Sequence, residues 1–350
     1  MRAVVFERFT EPPEVRDVPD PVCPPDAMVL RVMATGLCRS DWHGWMGHDP
    51  DIELPHVPGH EFAGEVVEVG AQVGTWRAGD RVTAPFVCAC GRCPTCRRGE
   101  HQICDHQQQP GFTHWGSFAE YVVVDVADVN GVRLPDALGF DTAASLGCRF
   151  ATAYRAVVGH GRVQPGSWVA VHGCGGVGLS AIMIAVAEGA RVIAIDPAPP
   201  ARDRAAALGA EVVLDPAAAD VPAAVLELTG GGAAVSVDAI GGVPSLVNSI
   251  GCLRKRGRHV QVGLMGAATQ VPAQIIASTV GRELELVGSH GMAAADYPGL
   301  LARIESGELD LGRLIRRRIG LDDAAGELAA LGTAQIDGIT VIEPAATRRS

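Results

Sequence analysis

Trp168-Val169-Ala170-Val171-His172 runs directly into Gly173-Cys174-Gly175-Gly176-Val177-Gly178, and a helix-like pattern continues from Val177 to Glu188. A short apolar run, a glycine-rich turn and a helical pattern in that order read as strand, loop and helix. The loop fits G-x-G-x-x-G. Its glycines serve a tight turn, close approach of the backbone to a pyrophosphate, and close packing of helix on strand. The helix N-terminus then faces the negative phosphates. Glycine spacing alone is weak; here the strand before and the helix after it are both present. A second strand, Arg191-Val192-Ile193-Ala194-Ile195-Asp196, ends on a carboxylate at the distance such a loop requires. That carboxylate can accept hydrogen bonds from adenosine ribose hydroxyls and repel a 2′-phosphate, which favours NAD over NADP. Arg202 and Arg204 follow closely enough to tolerate the phosphate.

Working outward, Ala201 to Leu208 reads as a helix stopped at Gly209. Further strands fit residues 211–214, 234–238, 258–262 and 284–287. Six strands separated by helical patterns predict an α/β doubly wound parallel sheet. The first 150 residues have a different texture, rich in Pro, Cys and His. Glu61 to Gly70 alternates like a half-buried strand ended by glycine, and Ala78 to Val82 reads as a turn entering another. This half is expected to be β-rich. Beyond about residue 290 the chain reads as helix, strand, helix, strand, and is expected to rejoin the first domain.

Cys90-Gly91-Arg92-Cys93-Pro94-Thr95-Cys96, completed by Cys104, is the second informative stretch. Four thiolates at this spacing can converge on one tetrahedral zinc at about 2.3 Å each. A shell closed by four sulfurs leaves no position for chemistry, so the site is structural. Two disulfides would need an oxidising compartment. An iron–sulfur cluster usually draws its fourth cysteine from a different sequence context.

Bulk properties narrow the classes further. The chain has 350 residues, enough for two domains with cores of their own. Its net charge of -11 argues against a binder of nucleic-acid backbone. Met1 to Phe6 lacks a signal-peptide stretch, and no apolar run reaches membrane-spanning length, so a cytoplasmic protein with no membrane partner is expected. Ten cysteines without a secretion signal favour a reducing compartment and metal ligation. Lys255, the single lysine, carries no functional reading.

Cys38, His60, Glu61 and Cys148 are further candidate ligands. Cys38 lies in Gly36-Leu37-Cys38-Arg39-Ser40-Asp41-Trp42-His43, and His60 in Gly59-His60-Glu61 before a strand. A catalytic zinc needs three protein ligands and one open position. From the residues alone, Cys38 and Cys148 read equally well as plain buried cysteines.

Taken together and in order, these motifs resemble the zinc-dependent medium-chain alcohol dehydrogenases, over essentially the whole chain. The resemblance implies a GroES-like catalytic domain formed by residues 1–152 and 290–350, with a structural zinc lobe near 88–105. It implies a Rossmann domain over 153–289, an active site in the cleft between the two, and two zinc ions per chain. Cys38, His60 and Cys148 would hold the catalytic zinc, with Glu61 behind it as an alternate ligand. Asp41 would accept a hydrogen bond from His60 and fix its tautomer. Ser40 would take the substrate's hydroxyl proton and pass it through the nicotinamide ribose to His43. Arg39 would contact the pyrophosphate; Thr152 and Val177 would press on the nicotinamide; Gly173, Gly175, Gly176, Gly178, Asp196 and Val262 complete the cofactor set. Phe86 falls at a pocket aromatic position, with Trp45 and Trp115 as weaker candidates. Zinc would lower the pKa of a bound alcohol, whose hydride passes to the nicotinamide.

Some positions depart from the pattern. Ile339 stands where the family often has a pyrophosphate-binding arginine. Cys88 is surplus and reads as packing. Cys23, Cys174 and Cys252 read as free thiols, and Cys174, lying in the cofactor loop, is expected to be a point where alkylation blocks NAD. His48, His56, His101, His106, His114 and His160 are assigned no role. The leading reading is an NAD-dependent zinc alcohol dehydrogenase acting on alcohols, aldehydes or ketones. A polyol or amino-alcohol dehydrogenase is the alternative within the superfamily, although such enzymes often carry a carboxylate in place of Cys148. A non-catalytic NAD-binding protein on the same scaffold is disfavoured because ligands and relay are retained. The absence of a long insertion near the zinc lobe favours a homotetramer over a dimer.

Overall fold

The structure, a computed structural model, describes all residues except 267–268, 333–337 and 345–350. It divides into two compact units. Met1–Ala151 and most of the chain from Gly291 form the first; Thr152–His290 forms the second.

In the first unit, β1 (Arg2–Val5) and β2 (Glu14–Asp17) make a two-stranded antiparallel ribbon. A larger sheet is built on β3 (Met28–Leu37), which pairs antiparallel with β4 (Phe62–Val69) and with β6 (Tyr121–Val124). β5 (Arg81–Thr83) and β7 (Val132–Arg133) extend the sheet beyond β4. On the other side of β3 lies the chain's tail, β15 (Ile339–Glu343), paired antiparallel with β3 and in turn parallel with β14 (Ile315–Gly320). β3 is long because its ten residues are nearly all apolar and buried on both faces. It ends at Leu37, which delivers Cys38 to the site. The core behind it holds Met28, Leu30, Val32, Phe62, Val66, Val82 and Val122.

The second unit is a six-stranded parallel sheet in the order β10-β9-β8-β11-β12-β13. Its strands are β8 (Trp168–His172), β9 (Arg191–Ile195), β10 (Val212–Leu214), β11 (Ala233–Asp238), β12 (Leu253–Gln261) and β13 (Glu285–Gly288). β8 and β11 lie at the centre, which is why they are mostly apolar and buried on both faces. The helix Gly176–Ala187 is apolar on all sides, and Leu179, Ile182 and Ile184 are completely buried, as a helix covered on every side requires.

β12 begins five residues earlier than the expected 258. Arg254, Lys255 and Arg256 are exposed, and their charges hide the first half of the strand; Arg256 has φ 57°, where the register to β11 shifts. Among the described residues no helix is long and apolar enough to cross a membrane.

Candidate metal and cofactor sites

The four lobe cysteines gather as one cluster, with all four Sγ atoms within 4.8 Å of one another. Cys90 Sγ lies 4.0 Å from Cys96 Sγ, and Cys93 Sγ 3.8 Å from Cys104 Sγ. A disulfide holds its sulfurs near 2.05 Å. Sulfurs at 2.3 Å from a central zinc stand about 3.8 Å apart along a tetrahedral edge, so the spacing fits a metal and not a bond. Backbone amides point at the sulfurs: Cys93 N donates to Cys90 Sγ, Cys96 N to Cys93 Sγ and His106 N to Cys104 Sγ. Such donors stabilise thiolates and place the cluster's charge. These three amides and the four sulfurs come from one short stretch, in which Pro94 opens the single-turn helix Pro94–Arg97 that Cys93 caps. Cys88 lies outside this cluster, buried in the sheet core, where burial pushes its thiol up.

A second cluster joins Cys38, His60 and Cys148, whose ligand atoms also lie within 4.8 Å of one another. Cys38 caps the helix Arg39–Trp45 directly after β3. Asp41, at the third position of that helix, accepts from Cys38 N at 2.9 Å, from Gly59 N at 3.1 Å and from His60 Nδ1 at 2.7 Å. With Nδ1 committed to Asp41, His60 presents Nε2, which is buried and has no hydrogen-bond partner. Gly59 has φ 108°, and a Cβ there would meet Phe118 and Ser117. Only glycine lets the chain turn His60 inward. Cys148 sits on a π-helical turn, Leu146–Phe150, in which Phe150 N reaches back to Ser145 O. Single π turns recur at functional sites because they redirect side chains inside a helix.

An orphaned imidazole nitrogen beside one buried and one half-buried thiol fits a soft divalent ion, and three ligands leave one position open. The Cys148 thiol donates to Cys38, holding Cys38 well below the usual thiol range and Cys148 well above it. Glu61 is completely buried and burial raises it to about 7 despite Arg149 beside it. It is not among the clustered ligand atoms; its carboxylate is held by Arg149.

The rings facing His60 are Phe86, edge-on at 6.2 Å, and Phe112, tilted at 5.1 Å. Trp45 is turned elsewhere, its Nε1 donating to Glu11 O, and Trp115 packs by Met1 and Val18 with Nε1 on Pro55 O. Arg39 donates to Leu331 O and stacks at 5.6 Å over Trp42. Ser40 and His43 lie on one helix, and His43 meets His48. Phe112, Arg149 and His48 escaped the reading of the sequence. None lies in a recognisable motif, and only Arg149, next to Cys148, had a positional cue.

The glycine loop of the second unit fits a dinucleotide. A Cβ at Gly178 would overlap the Gly173 carbonyl, whereas one at Gly175 would meet nothing within 4 Å. The first shows why helix and strand pack so closely, and the second leaves open space at the helix N-terminus. Asp196 follows β9, accepting from Cys174 N and Ala198 N at 2.8 Å each. Val262 N donates to Asp238 O, just past β12. Thr152 Oγ1 is buried without a partner. Cys174 is completely buried and burial pushes its thiol up to about 12. The expectation that alkylation there blocks the cofactor is therefore corrected: the sulfur is neither accessible nor ionised.

A GroES-like unit with a four-thiolate lobe and a Cys–His–Cys cluster, joined to a dinucleotide-binding parallel sheet, defines a zinc-dependent nicotinamide oxidoreductase. Residues 24–136 match the alcohol dehydrogenase GroES-like domain, and residues 176–306 match the zinc-binding dehydrogenase family. The chain is similar to an alcohol dehydrogenase of Geobacillus stearothermophilus, 35% identical over 83% of this chain and 84% of that one. It is also similar to a sorbitol dehydrogenase of Halalkalibacterium halodurans, 31% identical over 86% and 87%. A Sinorhizobium meliloti 1021 protein solved bound to NADP superposes with TM-score 0.89 at 29% identity, covering 98% of this chain and 99% of its own. The chain belongs to the zinc-dependent medium-chain alcohol dehydrogenase family, oxidoreductases that interconvert alcohols and carbonyl compounds. In this family the catalytic ion is held by two cysteines and one histidine.

Proposed function

We propose that the protein is an NAD-dependent dehydrogenase of apolar alcohols, with Cys38, His60 and Cys148 holding the catalytic zinc and Cys90, Cys93, Cys96 and Cys104 a structural one. The observation that carries this reading is the orphaned His60 Nε2, clustered with the Cys38 and Cys148 thiols, on a ring that Phe86 and Phe112 pack against. Bound there, zinc supplies a Lewis acid that acidifies an alcohol, and the nicotinamide accepts the hydride.

The chain's own residues do the rest. Asp41 fixes the His60 tautomer and, through Cys38 N and Gly59 N, the spacing of two ligand segments. Ser40 takes the hydroxyl proton, and His43, three residues on along the same helix, delivers it to solvent. Phe86 and Phe112 exclude water and favour apolar substituents; a polyol would leave its hydroxyls unpaired against these rings. Asp196 favours NAD.

The thiols, none of them paired in a disulfide, favour a reducing cytoplasm. Self-association, as a tetramer, is supported by β13, an edge strand with Leu286 exposed, and by Ile276 and Val280, 62% and 75% exposed on the helix Gln274–Arg282.

The test is NAD reduction with benzyl, short aliphatic, secondary and polyhydroxy alcohols, each beside a chelator-treated control. Zinc-dependent turnover highest on apolar alcohols supports the reading; turnover confined to polyols moves the protein to the polyol branch.

A further inference from the structure

Each ligand of the Cys–His–Cys cluster has a neighbour in sequence that takes part in a second set of contacts. Leu37 precedes Cys38, Glu61 follows His60 and Arg149 follows Cys148. These three neighbours meet at one point. The Arg149 amide donates to Glu61 Oε1 at 2.6 Å, Nη1 donates to the Leu37 carbonyl at 2.9 Å, and Nη2 forms an ion pair with Glu61 Oε2. The Glu61 carbonyl in turn accepts from Gly36 N at 2.7 Å and Thr35 Oγ1 at 2.8 Å, which ties in the end of β3. The carboxylate is completely buried and the guanidinium nearly so, at 6% exposure. A Cβ at Gly36 would come within 2.5 Å of Arg149 Nη2 and 2.7 Å of Glu61 Oε2, so the chain is bare where the pair needs room.

As a contribution to stability such a pair is a poor device. Desolvation offsets the attraction, and apolar residues of equal volume serve as well. What an arginine offers instead is geometry. Its planar fork fixes two acceptors at once, and here they belong to two different ligand-bearing segments while its own backbone belongs to the third. The two thiols and the imidazole come from segments far apart in sequence. Both sulfurs can be thiolates together only when a cation balances them. Something other than the metal must therefore hold the three segments in place.

We infer that Arg149 is a positioning residue for the catalytic zinc: it ties the three ligand segments together ahead of the metal and keeps the Glu61 carboxylate occupied, so that the fourth coordination position stays open for substrate. This rests on the reading of Cys38, His60 and Cys148 as zinc ligands.

The experiment compares the wild-type holoenzyme with Arg149→Lys and with the double variant Arg149→Met/Glu61→Gln. The double variant removes both charges at similar volume and leaves no unpaired ion buried. Lysine keeps a charge near Glu61 but lacks the fork that reaches Leu37. Zinc per chain is measured, with the rate at which each equivalent passes to a chromophoric chelator and the melting temperature. The equivalent whose loss tracks loss of activity is expected to leave about 10–100 times faster in both variants. The other equivalent, in the thiolate lobe, leaves at the wild-type rate and serves as internal control. Release of both equivalents within about twofold of wild type, in variants that fold, overturns the inference.

Should the variants not fold, the wild type decides. After removal of the faster zinc, the amides of Gly36 and Arg149 are expected to stay protected from hydrogen exchange; loss of that protection would show that the metal organises the segments, and the inference fails. A wild type that holds only the lobe zinc is a different failure, that of the ligand reading itself.

Discussion

His43 and His48 meet through their Nδ1 atoms at 2.9 Å. Gly47, at φ 77°, turns the chain so that His48 N also donates to His43 O at 3.0 Å. Trp42 stands edge-on to both rings. One imidazole donates and the other accepts while the pair is neutral. A proton added to His43 is opposed by charge on His48. The His43 pKa is accordingly lowered, by burial first, then by His48 and Arg39.

The proposed relay needs His43 neutral to receive a proton, so alcohol oxidation falls away as pH drops through its pKa. His48→Ala removes one source of repulsion and raises that pKa. The acid limb of kcat/KM against pH is then expected to move to higher pH, while His43→Ala lowers turnover and abolishes the limb. An unmoved limb in His48→Ala would show that some other group sets it.

The two metal clusters were legible to different degrees, for a physical reason. Cys90, Cys93, Cys96 and Cys104 lie on one short loop, where spacing alone restricts the geometry. Cys38, His60 and Cys148 lie on three segments that only the fold brings together, and resemblance carried them. Arg149 drew no reading from the sequence; its burial depends on Gly36, on β3, leaving space. The parallel sheet was legible because its central strands are mostly apolar. The start of β12 was not, because Arg254, Lys255 and Arg256 face solvent there.

Cys93 joins two duties. Its Sγ accepts from Cys96 N at 3.4 Å, capping the short helix, and stands 3.8 Å from Cys104 Sγ. A serine hydroxyl still caps but is a poor zinc ligand. Cys93→Ser is expected to lose one zinc per chain and several degrees of melting temperature, with turnover at low temperature largely retained. Unchanged zinc content and melting temperature would refute a structural zinc in this lobe.

His172 ends β8 in complete burial, with Nε2 unpartnered. Burial lowers its pKa to about 4; His259 adds to this and Asp238 opposes it. The unfolded chain takes up this proton near pH 6.5, the folded one only near 4. Between those values the unfolded state binds more protons, so stability is full above about pH 6.5 and declines as pH falls. The loss attributable to His172 reaches about 3 kcal/mol by pH 4. His172→Leu is expected to flatten the fall of melting temperature between those pH values, while His259, also lowered by burial, keeps part of the slope. A variant as acid-sensitive as wild type would place the acid-labile group elsewhere.

Asp196 uses both carboxylate oxygens on backbone amides, Cys174 N in the glycine loop and Ala198 N beyond β9. Arg202, the first cation after it in sequence, is already engaged: Nη1 donates to the carbonyls of Asp196 and Pro197 and pairs with Asp215 at 3.3 Å. Asp196 is thus fixed at the end of β9, with the Arg202 guanidinium turned to other partners. Asp196→Ala removes the charge and also releases two amides, which loosens the loop for either cofactor. Each lost bond costs about 1–3 kcal/mol if its partner stays buried, so kcat/KM with NAD is expected to fall roughly tenfold or more. Loosening affects NAD and NADP alike, whereas loss of the charge favours NADP alone. The ratio of the two kcat/KM values therefore isolates the carboxylate. A ratio shifted toward NADP is the expected outcome; a ratio unchanged while both activities fall would mean that Asp196 shapes the loop and takes no part in choosing the cofactor.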